Sequence, residues 1–458
     1  MSIPIPEDGL RGVRLISAVA TLMIAVGLAS LDTSIANTAL PTIALDLNAT
    51  PADSVWVVNA YQLALVVSLL PFASLGEIIG YRRVYVWGLA VFTLASLLCA
   101  LSWSLPTLTA ARIIQGFGAS GVMSVNTALI RFIYPSRMLG RGVGNNALVV
   151  AVSTAIGPTI AAGILSVGNW QWLFAINVPL GVVAVVLALR VLPDTQRGQH
   201  RFDFGSAALN AMTFGFLIFG IGEGAHQADI GVTAAALGIA VVSGVALIHR
   251  QLGLPAPMLP VDLYRRPIFA LSSLTALCSF SAQGLAFVSL PFYFQTVLGM
   301  SAVETGLLLT PWPVMTAFAA PIAGPLSDRY PPAVLGGIGL AVLGLGLSLI
   351  ASLPDHPGTV GIVWRMMICG AGFGFFQSPN LRAIMSSAPP ERSGGASGIV
   401  ATSRLVGQAL GAALVALCFG ISMRNGPSLA LAMAAAFSLA GSAVSFSRLV
   451  AKPATFRR

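Results

Sequence analysis

The sequence predicts an all-α polytopic membrane protein, and three observations support this fold class. Of the 458 residues, 56% are hydrophobic and only 9% are charged, whereas a soluble chain carries roughly a quarter charged residues. The mean hydropathy is +0.87. The apolar residues also gather in runs of about 20 or more, the length that a helix needs to cross a bilayer. A charge content this low cannot cover a water-facing surface, so we expect most of the surface to face lipid.

Apolar runs separated by polar breaks predict about fourteen membrane spans. They fall roughly at 13–38, 52–78, 83–104, 106–134, 141–166, 170–192, 204–222, 231–250, 268–297, 302–326, 333–353, 358–386, 395–420 and 427–448. The weakest break is the short segment SWSLPT between the third and fourth spans. The first run lacks an A-x-A cleavage site and is interpreted as a span rather than a signal peptide. An even count places both termini on one side of the membrane.

The basic residues indicate which side that is. Of the 24 Lys and Arg residues, 20 fall at the termini or in loops on the terminal side, which the positive-inside rule identifies as cytoplasmic. These residues are Arg11, Arg14, Arg82, Arg83, Arg131, Arg137, Arg141, Arg190, Arg197, Arg201, Arg250, Arg265, Arg266, Arg329, Arg382, Arg392, Arg448, Lys452, Arg457 and Arg458. The net charge of +9 therefore reflects orientation in a cell inner membrane and not a nucleic-acid partner.

Residues for metal or redox chemistry are not clustered in the sequence. Each of the four cysteines lies in an apolar run, none forms a CxxC pair, and the four histidines are dispersed. A membrane enzyme or respiratory-complex subunit usually needs clustered His, Cys or carboxylate ligands. We therefore expect no metal site, no cofactor and no enzymatic activity, and we keep the membrane enzyme as a distant alternative.

Two segments of the first half recur in the second half. ASLGEIIGYRR (73–83) resembles GPLSDRYPP (324–332), and ARIIQGFGASG (111–121) resembles WRMMICGAGFG (364–374). These pairs match Glu77 with Asp328 and Arg112 with Arg365, at offsets near 250 residues. The sequence thus predicts a duplicated six-span unit, the architecture that many secondary transporters use to build a midplane binding site. A duplicated scaffold without a pathway is the alternative.

Spans seven and eight have no counterpart in this repeat. The predicted organisation is therefore six, two and six spans: an N-terminal bundle at 1–195, an inserted hairpin at 196–256, and a C-terminal bundle at 257–458.

A carboxylate inside the first span is the most informative single residue. Asp32 lies in LDTSIANTALP, where an ionised carboxylate costs at least about 2.5–3.5 kcal/mol. Such a group can exchange a proton and thereby couple transport to a proton gradient. Arg112 and Gln115 in span four are its predicted partners, because Asp32 and Arg112 are placed at similar depths. A static ion pair, or an arginine that snorkels to the interface, is the alternative.

Two further segments favour conformational roles. The turn LGEIIGYRR places Glu77 beside Gly80, Arg82 and Arg83, and its counterpart contains Asp328 and Arg329. These residues are predicted gating-loop residues, although an ordinary basic turn would look the same.

AIGPTIAAG places Gly157 and Pro158 inside span five. Proline removes a backbone hydrogen bond and small residues allow a close approach of helices, so this segment suits a hinge or a proton seal. Simple close packing is the alternative.

Polar and aromatic residues elsewhere in the spans are candidates for lining a substrate cavity, and aromatic faces near a carboxylate suit a lipophilic cation. The candidates are Asn37, Trp56, Tyr61, Gln62, Asn126, Gln295, Trp312 and Gln377. Interfacial placement or packing is the alternative for each of them.

Taken together, these motifs resemble the fourteen-helix drug:proton antiporter branch of the major facilitator superfamily. LDTSIANTALP resembles its first-helix signature, ASLGEIIGYRR its loop motif, ARIIQGFGAS its fourth-helix motif and AIGPTIAAG its antiporter motif. NWQWLFAINVPLG (169–181), RFDFGS (201–206) and LPFYFQTVLGMSAVETGLLLTP (290–311) are also typical of the branch. The resemblance covers nearly the whole chain and implies coupling by Asp32 and Arg112.

The sequence departs from the branch at several positions. Glu77 and Ile78 replace the usual Asp and a basic residue of the loop motif, and Ala161 and Ala162 replace a Gly-Gly pair. The acids that some multidrug members carry in helices ten and thirteen are missing from 305–325 and 395–420, which argues against divalent cationic cargo.

We therefore expect a proton-coupled exporter of amphipathic, cationic or neutral organic compounds that works by alternating access. The expected partners are protons, a small-molecule substrate and the lipid bilayer, with no nucleic acid, and the expected state is a monomer. A dedicated exporter or importer of a metabolite such as an amino acid or a siderophore, on the same fold, is the alternative.

Overall fold

The computed structural model describes residues 9–195, 197–198, 202–225, 230–254, 259–354, 356–389, 392–422 and 424–450. Its regular structure in these ranges is helical, with no strand among them. The helices of the first part are α1 Gly12–Asp46, α2 Pro51–Ser54, α3 Trp56–Ile79, α4 Tyr81–Ala100, α5 Leu105–Ile133, α6 Leu139–Val167, α7 Gln171–Ala175 and α8 Asn177–Val191. Those of the second part are α9 Phe204–Ala225, α10 Ile230–Leu252, α11 Pro267–Phe292, α12 Ala302–Leu309, α13 Pro311–Arg329, α14 Pro332–Ala351, α15 Thr359–Ser387, α16 Ser393–Ile421 and α17 Gly426–Ser447.

The predicted span count is confirmed. Within the described ranges, 14 helical segments are long and apolar enough to cross a membrane, and the protein is a multi-pass membrane protein. The uncertain break at SWSLPT is real: α4 ends at Ala100, and Ser104 begins α5 through a capping box with Thr107. This pair satisfies backbone N–H groups that would otherwise have no partner at the start of the helix.

The predicted end of the first span was wrong. α1 has 35 residues and continues to Asp46, whereas the prediction stopped at 38, before Pro41. Pro41 is accommodated inside the helix, as proline often is in membrane helices. Asp32 therefore lies 14 residues from the end of α1, about 21 Å of helix, and not the six residues that a span ending at 38 implies.

The described residues divide into two compact units. One comprises residues 1–49 and 56–211, and the other comprises residues 50–55 and 212–458. Helix α9 therefore begins in the first unit and ends in the second. The predicted boundaries of the inserted hairpin, 196 and 256, stay a prediction. Arg201, Lys452, Arg457 and Arg458, which entered the charge count, lie outside the described residues.

Glycines set the closest helix contacts of the first unit. A Cβ on Gly116 of α5 would lie 2.5 Å from the backbone oxygen of Tyr61 in α3. One on Gly118 would collide with the backbone of Phe92 in α4, and one on Gly88 would lie 2.9 Å from the backbone of Gly118. Real Cβ atoms essentially never approach to less than 3.0 Å. Helix α5 therefore packs against two neighbours at a separation that only glycine permits.

The second unit repeats this pattern. A Cβ on Gly370 of α15 would collide with the backbone oxygen of Trp312 in α13, and one on Gly372 would lie 2.5 Å from the backbone nitrogen of Leu343 in α14. Gly339 of α14 faces the oxygen of Gly372 in turn. These contacts match α3 and α4 with α13 and α14 at an offset of 251 residues, and α5 with α15 at 254. The close helix contacts of the first unit thus recur at equivalent positions in the second unit, as the internal sequence repeat predicts.

The offset of 254 corrects one predicted equivalence. Arg112 corresponds in space to Met366, which is fully buried, and not to the preceding Arg365. Arg365 is half-buried, donates to the backbone oxygen of Gly361 in its own helix at 2.6 Å, and lies 4.3 Å from the ring centroid of Trp364. The sequence match slipped by one residue because an arginine happened to stand beside the equivalent position.

Arg448, counted above as a cytoplasmic loop cation, is buried just beyond the end of α17. Its guanidinium donates to Ser272 of α11 and to Asn380 of α15, both at 2.9 Å, and to Ser445. No carboxylate pairs with it among the described residues. Burial lowers the pKa of Arg448 to about 10, because removal from water disfavours the charged form. The residue joins three helices of the second unit.

Candidate functional site

The carboxylate of Asp32 is buried in the first unit and accepts three hydrogen bonds. Its Oδ2 accepts from Arg112 Nη1 at 2.5 Å, and its Oδ1 accepts from Gln115 Nε2 and from Asn177 Nδ2, both at 2.8 Å. Asp32 and Arg112 are each 1% exposed. Three donors from two helices compensate for the lost hydration of the carboxylate. The structure thus brings the predicted trio of Asp32, Arg112 and Gln115 into one cluster.

Arg112 is held by more than its carboxylate. Its Nε donates to the backbone oxygen of Val57 at 3.0 Å, and its Nη1 also donates to Gln115 Oε1 at 2.6 Å. The guanidinium lies 4.1 Å from the ring centroid of Tyr61 and 5.5 Å from that of Phe174. Aromatic faces attract a desolvated cation. Arg112 therefore has favourable contacts that do not depend on the charge of Asp32.

Two local features of the backbone position the cluster. Gly116 lets α5 approach α3, which places Val57 and Tyr61 against Arg112. Asn177 is the first residue of α8, directly after the break between α7 and α8 at Ile176. Two helix segments of one span thus meet beside Asp32, and the Asn177 amide is directed at the carboxylate.

Helix α4 contributes polar contacts to Gln115. Gln115 Nε2 donates to Ser96 Oγ at 2.9 Å, and the thiol of Cys99 lies 3.5 Å from Gln115 Oε1. Every polar atom of the Gln115 amide is therefore engaged. This network fixes the orientation of Gln115.

The predicted antiporter segment packs against the same helix that carries Asp32. Gly157, Pro158, Ala161 and Ala162 are all buried on α6. A Cβ on Gly157 would lie 2.5 Å from the Cβ of Ser34 in α1, and Ser34 Oγ donates to the backbone oxygen of Thr154 at 3.1 Å. The close contact is therefore two residues along α1 from Asp32.

The predicted gating turn between α3 and α4 consists of a single residue. Gly80 has φ +100°, a conformation that side chains with a Cβ rarely adopt. Tyr81 N donates to Thr195 Oγ1 at 2.9 Å, and Arg82 Nη2 donates to the backbone oxygen of Leu189 at 2.5 Å. The segment after α8 is thereby fastened to this turn, while Arg83 is exposed.

The segment after α8 also reaches Glu77, whose backbone oxygen accepts from Gly198 N at 2.7 Å. In the second unit, the equivalent acid Asp328 forms an ion pair with Arg382 of α15, and Arg329 is exposed. Both partners of this pair are about half exposed or more, so its contribution to stability is small. Any gating role of these loop residues stays a prediction.

The predicted cavity residues divide by their surroundings. Trp56 and Asn37 are half-buried and Gln377 is exposed. Tyr61 is buried, and the ring that was expected to meet a cationic cargo already contacts Arg112. Asn126 donates to Asn146 Oδ1 at 2.8 Å.

Several of these residues also carry a buried polar atom without a hydrogen-bond partner in the described structure. The atoms are Asn37 Oδ1, Gln62 Oε1, Asn126 Oδ1, Gln295 Nε2 and Trp312 Nε1. An unsatisfied buried polar group costs about 1–3 kcal/mol.

Three members of the cluster were missed by sequence reasoning: Ser96, Cys99 and Asn177. Asn177 had a usable signal, because it is the one strongly polar residue in the apolar run LFAINVPLGVV. Ser96 and Cys99 had none, since small polar residues are common in membrane helices. Phe174 was also indistinguishable from packing.

Comparison with known proteins identifies the class. Residues 22–412 match the Major Facilitator Superfamily, and the chain belongs to this family of membrane transporters, which are not enzymes. A crystal structure of a POT family transporter in complex with a thioalcohol-conjugated peptide has a TM-score of 0.72 over 95% of this chain and 96% of that chain. At 14% identity, it shares the fold.

Relatives in bacteria extend over most of the chain. An uncharacterized transporter of Escherichia coli, YebQ, is 55% identical over 97% of this chain and 98% of its own length. The riboflavin transporter RibZ of Clostridioides difficile is 30% identical, with 88% of each chain covered. The tetracenomycin C resistance and export protein of Streptomyces glaucescens is 31% identical over 90% of this chain and 77% of its own length.

Proposed function

We propose that this transporter exports amphipathic, cationic or neutral organic compounds in exchange for protons. It would work by alternating access, as duplicated secondary transporters do, in the inner membrane of a bacterial cell, as a monomer and without a cofactor. The proton gradient would supply the driving force. The observation that carries the proposal is the buried Asp32 carboxylate with its charged partner Arg112.

The contacts of Arg112 support exchange of a proton rather than a permanent ion pair. Protonation of Asp32 would remove the negative charge and leave the arginine buried, which is normally very costly. Here the guanidinium would keep Val57 O, Gln115 Oε1 and the faces of two aromatic rings. These contacts lower the cost of breaking the pair.

Two kinds of observation bear on the cargo. In the first unit, Asn37 Oδ1 and Gln62 Oε1 are buried without a hydrogen-bond partner among the described residues, and they would offer hydrogen bonds to a polar, uncharged part of a ligand. One relative is named as a tetracenomycin C resistance and export protein. The cavity candidates are polar and aromatic residues, which suit an amphipathic cargo better than a highly charged one.

A dedicated metabolite transporter on the same fold is the second candidate. It is favoured by RibZ, a relative named for riboflavin. Riboflavin combines an aromatic ring system with a polyhydroxyl chain, and neutral hydrogen-bonding groups would suffice to hold it. This candidate keeps the same proton-coupling cluster and differs in specificity alone.

Everted membrane vesicles energised by respiration test both candidates. A panel of cationic dyes, quaternary ammonium biocides, neutral antibiotics and riboflavin is offered, and uptake into the vesicles is measured together with movement of lumenal protons. We expect uptake of several amphipathic compounds, each with loss of lumenal protons. Transport of riboflavin alone would favour the second candidate.

Asp32→Asn isolates the coupling step. The variant keeps the size of the side chain and an oxygen that accepts from Arg112, but it cannot bind and release a proton. We expect gradient-driven transport to be abolished at unchanged expression. Asp262→Asn is the matched control, because Asp262 forms a half-exposed ion pair with Arg392 that contributes little. Full transport by Asp32→Asn would refute proton coupling through this residue.

A further inference from the structure

Asn177 is the one neighbour of Asp32 whose hydrogen bonding can be reversed without breaking other contacts. Its Nδ2 donates to Asp32 Oδ1 at 2.8 Å. Its Oδ1 is buried and has no hydrogen-bond partner among the described residues, and the side chain is 0% exposed. Buried amide oxygens are normally satisfied. An unused acceptor directly beside an exchangeable carboxylate therefore needs an explanation.

In the described arrangement, all three partners of Asp32 are N–H donors. Such a set suits the ionised carboxylate, which only accepts hydrogen bonds. A protonated Asp32 carries an O–H donor that would have no acceptor within this set. Because a buried O–H without a partner is unfavourable, one of the neighbours must present an oxygen when the proton arrives.

Neither Gln115 nor Arg112 can do so. The Gln115 oxygen already accepts from Arg112 at 2.6 Å and its nitrogen also donates to Ser96 at 2.9 Å, so rotation of this amide would break contacts on both ends. Arginine has no acceptor. The amide of Asn177 makes no side-chain hydrogen bond other than its bond to Asp32 in the described part of the structure, and its two ends have nearly the same shape.

We propose that Asn177 is a positioning residue whose amide makes a half-turn about Cβ–Cγ when Asp32 is protonated. In the ionised state Nδ2 donates to the carboxylate, and in the protonated state Oδ1 accepts from the carboxylic O–H. No covalent bond changes; one N–H···O bond is exchanged for one O–H···O bond. Asp32 thereby keeps a hydrogen bond to Asn177 in each of its protonation states. This inference rests on the proposed proton exchange at Asp32.

The other groups around Asp32 do not supply this acceptor. The titratable or charged groups that face the cluster are Tyr61 from α3, Cys99 from α4 and Arg112 from α5. Tyr61 lies against the guanidinium and Cys99 against Gln115. Helix α7 has no titratable side chain. Arg141 of α6 and Arg190 of α8 lie far from this level, 16 residues from Gly157 and 13 residues from Asn177 along their helices.

Infrared difference spectroscopy of the full-length protein in liposomes tests the proposal. The pH is varied between about 4 and 9, a range in which a buried carboxyl can titrate. The C=O band of protonated Asp32 is identified as the band that disappears in Asp32→Asn. In Asn177→Leu, of similar volume, the carboxylic O–H loses its acceptor, so we expect the band at higher wavenumber. In Asn177→Thr the hydroxyl can donate or accept, and we expect the wild-type position.

Transport in the same liposomes gives a second readout. We expect Asn177→Leu to lower the rate of proton-coupled transport roughly ten- to hundredfold, because one buried hydrogen bond is lost at this step. Asn177→Thr should recover the rate.

Three outcomes would overturn the inference. A coincident Asp32 band in the wild type and in Asn177→Leu would show that the amide does not accept the proton. If Asn177→Leu fails to fold, a band in Asn177→Thr at the position of a carboxyl without a hydrogen bond would lead to the same conclusion. Absence of any Asp32-dependent band in the wild type would refute proton exchange itself, and with it the proposed function.

Discussion

The two duplicated bundles share a packing pattern but differ in chemistry. Gly116 and Gly118 of α5 and Gly370 and Gly372 of α15 make equivalent close contacts with neighbouring backbones. One helical turn before these contacts, the first unit buries the polar cluster around Arg112, whereas the second unit buries Met366 at the equivalent position. Cys369 likewise replaces Gln115. Helix packing was therefore retained after duplication, while the fully buried Asp–Arg pair of the described residues lies in the first unit.

The contact between the first and the fifth membrane span of each bundle, here called the seam, also differs between the two units. It joins α1 with α6 in the first unit and α11 with α16 in the second. In the second unit, Gly284, Gly407 and Gly411 all interlock α11 with α16, and a Cβ on Gly284 would lie 2.6 Å from the backbone oxygen of Gln408. In the first unit, Gly157 is in close contact with Ser34, whereas Gly163 of the same helix has nothing within 4 Å. The seam beside Asp32 is thus held at fewer points than its counterpart.

The largest expected effect comes from making the first unit resemble the second. Arg112→Met leaves the Asp32 carboxylate buried without its cationic partner, which costs about 3–5 kcal/mol of stability and should abolish transport. Thermal unfolding of purified protein and vesicle transport measure the two effects. Asp32→Leu combined with Arg112→Met removes both charges and should recover much of the stability while remaining inactive. A stable, active Arg112→Met single variant would contradict the role assigned to the pair.

The shared packing pattern predicts similar losses in the two units. Gly116→Ala and Gly370→Ala each place a Cβ against a backbone oxygen, and we expect each to cost about 1–3 kcal/mol because neither backbone can move away easily. Gly163→Ala and Gly398→Ala are the controls, since nothing lies within 4 Å of either position. These should be neutral or stabilising by up to about 1 kcal/mol. Equal melting temperatures for all four variants would mean that the close contacts are unimportant.

A smaller difference is expected between the two seams. Gly411→Ala, in the interlocked seam, should lower stability by about 1–3 kcal/mol. Gly157→Ala should cost less, because the α1–α6 seam has one glycine whose Cβ would come closer than 3.0 Å, whereas the α11–α16 seam has three, but it should reduce transport more strongly. Combination with Ser34→Gly, which removes the opposing Cβ, should restore transport to Gly157→Ala. If Ser34→Gly fails to restore it, the contact is not the cause.

The smallest effect is expected at Arg365. Because this side chain is half-buried, and its hydrogen bond to Gly361 and its contact with Trp364 lie within its own helix, Arg365→Gln should change stability by no more than about 0.5 kcal/mol and leave transport unchanged. Arg112→Gln, the same substitution at the paired arginine, should be severe. A comparable loss in both variants would restore the sequence-based match of Arg112 with Arg365.

The sequence predicted those members of the site that are charged or strongly polar within an otherwise apolar span. Asp32 and Arg112 stand out because charges are costly in a membrane span, and Gln115 follows one turn after Arg112 on the same helix. Asn177 was missed although it is the one strongly polar residue of its apolar run, because its contact with Asp32 joins residues 145 apart in the sequence. Arg448 was assigned to a loop because its burial by α11 and α15 depends on contacts between residues far apart in the sequence.

Composition and hydrophobic run length by themselves determined that the chain spans a membrane about fourteen times, because the bilayer imposes one length and one polarity on every span. The distribution of arginines predicted the orientation for a similar reason. Which polar side chains meet was decided by the tertiary structure alone. Helix rotation and close glycine contacts bring Asp32, Arg112, Gln115 and Asn177 together, and a shift of one residue along α15 separates Arg365 from the position equivalent to Arg112. Hydropathy does not encode rotation about a helix axis when most faces of the helix are apolar, so this part of the site depended on packing.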